Sequence, residues 1–121
     1  MDIEQFSMNI ILHAGNAKNY LHEALQDARN NSFDKVESKI KQASGELLEA
    51  HKLQTKFIQE DAKKGLGNLS VLLVHAQDHL MTVMSEKSLI EEMIEVYRNQ
   101  HELNEKVDRL VERNCAVERE R

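Results

Sequence analysis

The chain of 121 residues contains no proline and no tryptophan, has only four glycines, and is 4 % aromatic. Proline and glycine interrupt helices and form turns, whereas strands are enriched in aromatic and β-branched residues. A chain that is poor in turn formers and in aromatics is most simply all-helical, and its length corresponds to a single domain. We therefore expect an all-α protein with few and short connections.

Other absences exclude classes of function and location. Cys115 is the only cysteine, so an internal disulfide is excluded and a reducing compartment is favoured. No apolar run approaches the roughly 20 residues of a membrane span, and the start, MDIEQFSMNI, is acidic where a signal peptide is basic. The net charge is −5, and no basic stripe interleaved with aromatics is present. These features predict a soluble cytoplasmic protein that binds no nucleic acid.

Apolar residues recur at steps of three and four over residues 3–28 and again over residues 33–57, which predicts two amphipathic helices. Gly15 interrupts the first helix at a cost of about 1 kcal/mol relative to alanine, so we expect a neighbour to pack closely against it. Ser32 is the expected N-cap of the second helix. Residues 60–70, EDAKKGLGNLS, are expected to form a loop.

A third helical pattern begins near residues 68–70 and meets no breaker before the C-terminus. Its first half is apolar on nearly all sides, with Val74 and Met81 on a different side from Leu73 and Leu80. Two partner helices in one chain can cover only one side of it. The uncovered side predicts self-association through this helix.

After residue 92 the apolar positions follow a strict alternation of three and four, which is typical of a coiled-coil seam. They are Met93, Val96, Gln100, Leu103, Val107, Leu110, Asn114 and Val117. The polar members weaken such a seam or fix its register. We expect the third helix to continue past Leu103 to about Leu110, packing against other copies or against the first two helices. The alternative is a charged, disordered tail.

Three polar residues, His75, Asp78 and His79, lie within the apolar stretch VLLVHAQDHLMTVM at spacings that put them on neighbouring turns of one helix. They are costly to bury without partners. One interpretation is that they are hydrogen-bonded in the core or at an interface. A second is a metal site, since zinc accepts imidazole and carboxylate ligands. A third is a reactive histidine that carries a phosphoryl group on nitrogen.

The string LVHAQDHLMT, together with EAHKLQT at residues 49–55 and HAGNAK at residues 13–18, resembles the lactose/cellobiose-type enzyme IIA of the bacterial phosphoenolpyruvate-dependent sugar phosphotransferase system. The resemblance spans approximately residues 3–101. It implies an antiparallel three-helix up-down-up bundle that trimerises through the third helix. We accordingly assign residues 1–102 to the enzyme IIA domain and residues 103–121 to a charged C-terminal extension that continues the third helix.

The resemblance also implies a function and its partners. His75, the first histidine of HAQDH, corresponds to the phosphorylated residue, which accepts a phosphoryl group from the phosphocarrier protein HPr and passes it to a cysteine of enzyme IIB. Enzyme IIC, in the membrane, then imports and phosphorylates a sugar. The sugar is expected to be a β-linked disaccharide of the cellobiose, diacetylchitobiose or lactose class.

The resemblance implies supporting roles for other residues. Asp78 corresponds to a residue that faces the trimer axis, where three carboxylates repel one another and share a divalent cation, for which Mg²⁺ is the best candidate. Gln77, His79 and Gln54 correspond to residues that support or position the reactive histidine. For His51, a structural role is at least as well supported.

Three further histidines, His13, His22 and His101, are expected to be surface or packing residues. A rival to the relay hypothesis is a helical oligomerisation or metal-binding scaffold without catalysis. In that scaffold His75 and His79 would be metal ligands or interface residues.

Overall fold

The computed structural model describes residues 2–65 and 70–119, and three helices make up nearly all of that part of the chain. The helices are α1 (Ile3–Arg29), α2 (Phe33–Lys64) and α3 (Val71–Arg119). They form the all-α three-helix bundle expected from the sequence, with α1 placed between the other two helices. Most of the close helix packing is between α1 and α2 and between α1 and α3. The α2 and α3 helices meet through side chains, with Phe33 of α2 packed against His101 and Arg98 of α3.

Small residues on the inner face of α1 allow this central position. Ala14, Ala17, Ala24 and Ala28 are fully buried, so the neighbouring helices approach α1 closely on both sides. Larger apolar residues fill the space between these contacts and give most of the hydrophobic stabilisation. They are Phe6, Ile10, Leu21, Val36, Leu47, Phe57, Leu73, Leu80, Val83, Ile90 and Ile94.

Side chains cap the start of α1 and the start of α3. The backbone N–H of Gln5 donates to the Asp2 carboxylate over 3.2 Å, and that of Leu73 donates to the Ser70 hydroxyl over 3.0 Å. Each bond satisfies one of the backbone donors that the first helical turn leaves unpaired. The cap at Ser70 fixes where α3 begins, five residues before His75.

Ser32 is the N-cap residue of α2, as expected from the sequence. Its side chain makes no capping bond, however, and its ψ of 57° is not the extended conformation typical of a capping residue. Its backbone carbonyl accepts instead from the N–H of Lys35 over 3.1 Å. The three-residue connection turns through Asn31, whose φ is 61°, and asparagine tolerates this left-handed region better than most residues do.

The expected loop at residues 60–70 begins five residues too early. The α2 helix continues to Lys64, where an ion pair of 3.2 Å joins Lys64 to Glu60 and lowers the pKa of the Glu60 carboxyl. Gly65 then ends the helix with a φ of 55°, a conformation that glycine adopts without strain. The polar residues belong to a solvated last turn, which sequence polarity alone does not distinguish from a loop. The remainder of the loop, residues 66–69, lies outside the described residues.

The expected close packing at Gly15 is also wrong. A β-carbon built on Gly15 has no neighbouring atom within 4 Å, and the same holds for Gly45 in α2. Neither helical glycine is therefore required by its neighbours within the chain.

Gly15→Ala is accordingly expected to raise the free energy of unfolding by about 0.5–1 kcal/mol, because alanine loses less backbone entropy in a helix. Urea denaturation monitored by circular dichroism measures the change. Gly45→Ala is the matched control and should stabilise by a similar amount, whereas Gly65→Ala should destabilise because its φ is positive. If Gly15→Ala lowered the free energy of unfolding while Gly45→Ala raised it, a close packing contact at Gly15 would be indicated.

The third helix extends well beyond Leu110, which confirms the prediction that it continues past residue 103. The alternative of a disordered tail is wrong for residues 103–119. His101 is the last residue of α3 that is not exposed, and its Nε2 lies 3.1 Å from the carbonyl oxygen of Ala28. Residues 102–119 are all exposed, so the extension does not pack against α1 or α2.

No helix in the described part of the chain is long and apolar enough to cross a membrane.

Candidate functional site

The candidate site lies near the start of α3, where two imidazoles point away from the core. Leu73, Ala76 and Leu80 are buried against the bundle and fix the orientation of these first turns. Because His75 and His79 lie on the other side of the helix, both side chains are exposed. The sequence thus places two histidines on a well-anchored turn and leaves their rings in solvent.

The two rings are directly hydrogen-bonded to each other. The Nε2 atom of His75 lies 3.1 Å from the Nε2 atom of His79, and the ring planes cross at 86°. One ring donates its N–H and the other accepts with a lone pair, so a single proton lies between the two nitrogens. The spacing of four residues explains the contact, since residues four apart are neighbours on a helix surface.

This arrangement provides a nucleophile with a hydrogen-bond donor beside it. A neutral imidazole carries one unprotonated nitrogen, which can attack an electrophilic phosphorus atom. The second ring can donate its N–H to an oxygen that arrives with that phosphorus. Because both rings are exposed, another protein can reach them without any opening of the bundle.

Asp78 lies on a different part of the helix surface. At about 100° per residue, its side chain is rotated by about 100° from that of His79, although the two residues are adjacent in sequence. It is exposed and borders a shallow depression with Gln77, Val74 and Met81. The carboxylate is rotated by only about 60° from the side chain of His75, so it lies between that ring and the exposed apolar side chains of Val74 and Met81.

Gln54 does not join the histidines within the chain. It is half-buried on α2, and in the described residues no hydrogen bond links it to His75 or His79. The described contacts between α2 and α3 involve other residues, such as Phe33 with His101. His51 and Thr55, from the same motif on α2, are exposed.

A single chain does not assemble a metal site. Within the described residues, no group of three or more histidine, cysteine, aspartate or glutamate side chains is placed to hold a metal ion. Asp78 supplies one carboxylate, so a cation bound there would need donors from other molecules.

The remaining histidines that we expected to be surface or packing residues make contacts between helices. His13 Nδ1 lies 2.6 Å from the Glu46 carboxylate and joins α1 to α2, while His22 Nε2 lies 3.2 Å from Glu86 and joins α1 to α3. His101 is hydrogen-bonded to the Ala28 carbonyl and joins α3 to α1. Each of these three histidines therefore links two helices of the bundle. The structure confirms the expectation for these residues.

The sequence matches the family described as "PTS system, Lactose/Cellobiose specific IIA subunit" over residues 5–98. The chain belongs to this family. The lactose/cellobiose-specific IIA subunits are phosphoryl-relay components of the sugar phosphotransferase system, which confirms the resemblance noted in the HAQDH segment. Every candidate site residue lies within the matched segment, whereas the last turns of α3 lie beyond it.

Individual relatives agree with the family assignment. The sequence is 40 % identical over 96 residues to the N,N'-diacetylchitobiose-specific EIIA component of Escherichia coli K12, covering 79 % of this chain and 83 % of that protein. The fold is similar to the crystal structure of the cellobiose-specific enzyme IIA from Bacillus anthracis, with a TM-score of 0.79 and 37 % identity, covering 84 % of this chain and 93 % of that one.

A further structural relative is found in a complex. The solution structures of the IIA(Chitobiose)–HPr complex of the Escherichia coli N,N'-diacetylchitobiose branch contain a chain with a TM-score of 0.74 and 37 % identity. The match covers 84 % of this IIA subunit and 98 % of that chain.

Sequence reasoning placed His75 and His79 on neighbouring turns, but it did not identify the direct bond between their rings. The spacing of four residues was the available signal. It does not specify which ring atoms meet, because that depends on the side-chain rotamers of both residues.

Proposed function

We propose that His75 is the phosphoryl carrier of this IIA subunit, in a cytoplasmic relay from HPr to enzyme IIB. The observation that carries the proposal is the exposed imidazole pair at the start of α3, with its 3.1 Å bond between Nε2 atoms. The complex of a 37 % identical relative with HPr supports the choice of donor. The position of His75 as first histidine of HAQDH supports its assignment over His79.

The transfer consists of two displacements at phosphorus. In the first, an unprotonated ring nitrogen of His75 attacks, a nitrogen–phosphorus bond forms, and the bond from phosphorus to its carrier atom on HPr breaks. The electron pair of the broken bond stays on HPr. In the second, a cysteine thiolate of enzyme IIB attacks, a sulfur–phosphorus bond forms, and the electron pair returns to His75. Phosphoryl transfer of this kind depends mainly on alignment and charge stabilisation.

His79 has a defined part in this scheme. In the free protein its ring is hydrogen-bonded to His75, which holds both rings in one orientation. When the phosphoryl group arrives at His75, the N–H of His79 becomes a donor to a phosphoryl oxygen. His79 is therefore a positioning residue, and its loss slows the transfer without removing the nucleophile.

Gln77 and Gln54 complete the proposed site as supporting residues. Their side-chain amides can each donate a hydrogen bond to a charged phosphoryl oxygen, an interaction worth about 1.5–3 kcal/mol. Gln77 lies between the two histidines in sequence but borders the depression beside Asp78 and Val74. Gln77 and Gln54 therefore both reach the phosphoryl group only in an assembly or a partner complex. Replacing either by alanine is expected to slow phosphate uptake about tenfold, measured by quenched-flow incorporation from phospho-HPr.

The direct test of the relay is phosphate uptake. Incubation with phosphoenolpyruvate, enzyme I and HPr should add one acid-labile phosphate per chain, detected as an increase in intact mass. A non-catalytic oligomerisation or metal-binding scaffold would take up none.

We propose a β-linked disaccharide of the cellobiose, diacetylchitobiose or lactose class as the transported sugar. The diacetylchitobiose- and cellobiose-specific relatives support this class. Because enzyme IIC selects the sugar, the test uses the complete system. Membranes that contain the matching enzymes IIB and IIC should phosphorylate one of the three disaccharides in a IIA-dependent manner.

We also propose that the subunit is a homotrimer in which the α3 helices surround the symmetry axis, with three Asp78 carboxylates sharing a Mg²⁺ ion. Support comes from the position of Asp78 on the exposed stripe with Val74 and Met81. Carboxylates that meet on an axis repel one another and require a cation or protons. Oxygen donors favour Mg²⁺ over zinc.

Asp78→Leu tests this placement, because it replaces the mutually repelling charges with apolar side chains. The trimer is expected to become insensitive to chelator and to be no less stable than the wild type, since apolar replacement of buried charges is often neutral or favourable. Sedimentation equilibrium with and without EDTA measures both properties. Glu112→Leu, which removes an exposed carboxylate on the side of α3 opposite the stripe, is the control. A marked loss of trimer in Asp78→Leu would contradict the axial placement.

A further inference from the structure

The C-terminal part of α3 is a single helix without partners in the chain. Residues 102–119 are all exposed and extend the helix by about 27 Å past its last contact with the bundle. An isolated helix of this length is marginally stable in water. Its apolar side chains nevertheless fall on one side and do not scatter around the helix. This pattern is typical of a helix that packs against another.

That apolar side continues the stripe that contains Asp78. At about 100° per residue, most exposed apolar residues of α3 fall within an arc of about 120° that runs the whole length of the helix, and Met84 lies outside it. Its members are Val71, Val74, Met81, Leu89, Met93, Val96, Leu103, Val107, Leu110 and Val117. The core-facing residues Leu73, Leu80 and Ile94 lie on the opposite side. The extension therefore prolongs an existing unpartnered face.

We infer that the extension, residues 103–117, forms a parallel coiled coil with the extensions of other copies of this chain. In heptad terms, Val107 occupies an a position and Leu110 a d position, so both side chains lie in the apolar seam. Asn114 occupies the next a position, where it meets the same asparagine of the neighbouring copies and fixes their register. The match to the family ends at residue 98, so a coiled coil of residues 103–117 lies outside the segment that the family shares.

Charge complementarity determines the direction of the helices. Arg113 flanks the seam at a g position, and Glu118 occupies the e position five residues later. In a parallel coiled coil these two residues of different copies face each other and attract. An antiparallel pair would instead place Arg113 next to Lys106 of the neighbour, where like charges repel. The parallel arrangement also follows when all copies associate through the same end of α3.

A pair of matched substitutions tests the inference in the full-length chain. Leu110→Lys puts a charge into the seam, whereas Ala116→Lys adds the same charge on the opposite, exposed side of the helix. Leu110→Lys is expected to raise the concentration at which the copies dissociate by at least about tenfold, because each copy loses a buried leucine. Ala116→Lys is expected to leave it unchanged. Sedimentation velocity over a dilution series gives both values, and equal behaviour of the two variants would overturn the inference.

A disulfide cross-link tests whether the helices of the coiled coil are parallel. In a Cys115→Ser background, Asn114→Cys places one thiol at the same seam position of every copy, within the distance that a disulfide requires. Mild oxidation should join two copies, and Ala116→Cys in the same background should stay unlinked. Cross-linking at residue 116 in preference to 114 would contradict a parallel seam through Asn114. Both substituted chains should accept phosphate as the wild type does, so failure of this inference is distinguishable from failure of the proposed relay.

Discussion

His75→Ala is expected to take up no phosphate from phosphoenolpyruvate, enzyme I and HPr, whereas His79→Ala still accepts some. Alanine at residue 75 removes the attacking nitrogen, and no other group can replace it in the same place. Alanine at residue 79 removes a hydrogen-bond donor but leaves the nucleophile. The loss should therefore be complete in the first variant and about tenfold to a hundredfold in rate in the second.

Intact-mass measurement at several time points, followed by acid treatment, separates the two cases. Both side chains are exposed, so neither substitution should change helicity or melting temperature. His22→Ala is the matched control, since His22 is also exposed but lies on α1 in contact with Glu86. If His79→Ala were inactive and His75→Ala active, the assignment of the carrier would be wrong.

Leu80→Ala should have the largest effect on stability, lowering the free energy of unfolding by about 2–5 kcal/mol. Leu80 is 0 % exposed and packs on the side of α3 opposite to the apolar stripe. Its truncation leaves a cavity directly beneath the turn that carries the imidazole pair. The melting midpoint should fall at every chain concentration, because the loss lies within the bundle.

Met81→Ala is the neighbouring control. Met81 is 56 % exposed, so its truncation removes little burial within one chain. Its effect should appear in the concentration at which copies dissociate, because stability that comes from association depends on concentration. Urea titrations at two chain concentrations distinguish the variants. A loss in Met81→Ala that is as large as in Leu80→Ala and independent of concentration would contradict the assignment of the two faces of α3.

The helices were predictable from the sequence because each apolar face has a clear period of three and four. This period also predicted that α3 continues past Leu103, since no glycine or proline interrupts it. The expectations that were wrong concerned features that periodicity does not encode. Gly15 has open space around it, the N-cap residue Ser32 makes no side-chain capping bond, and the last turn of α2 is polar.

The candidate site was predictable in part. Spacing put His75, Asp78 and His79 on neighbouring turns of one helix, but it did not indicate the direct bond between the two imidazoles. The position of Gln54 depends on how α2 and α3 pack on α1, which no local pattern records.

The central claim is that His75 carries the phosphoryl group, and nitrogen-15 NMR of the imidazoles tests it most directly. The uniformly labelled chain is incubated with phosphoenolpyruvate, enzyme I and HPr at alkaline pH, where phosphohistidine is stable. The account predicts that one ring nitrogen of His75 moves to a phosphorylated chemical shift and returns after acid treatment. It predicts a smaller change at His79, the hydrogen-bonded neighbour. A phosphorylated shift at any other histidine, or none in the presence of active HPr, would contradict the account.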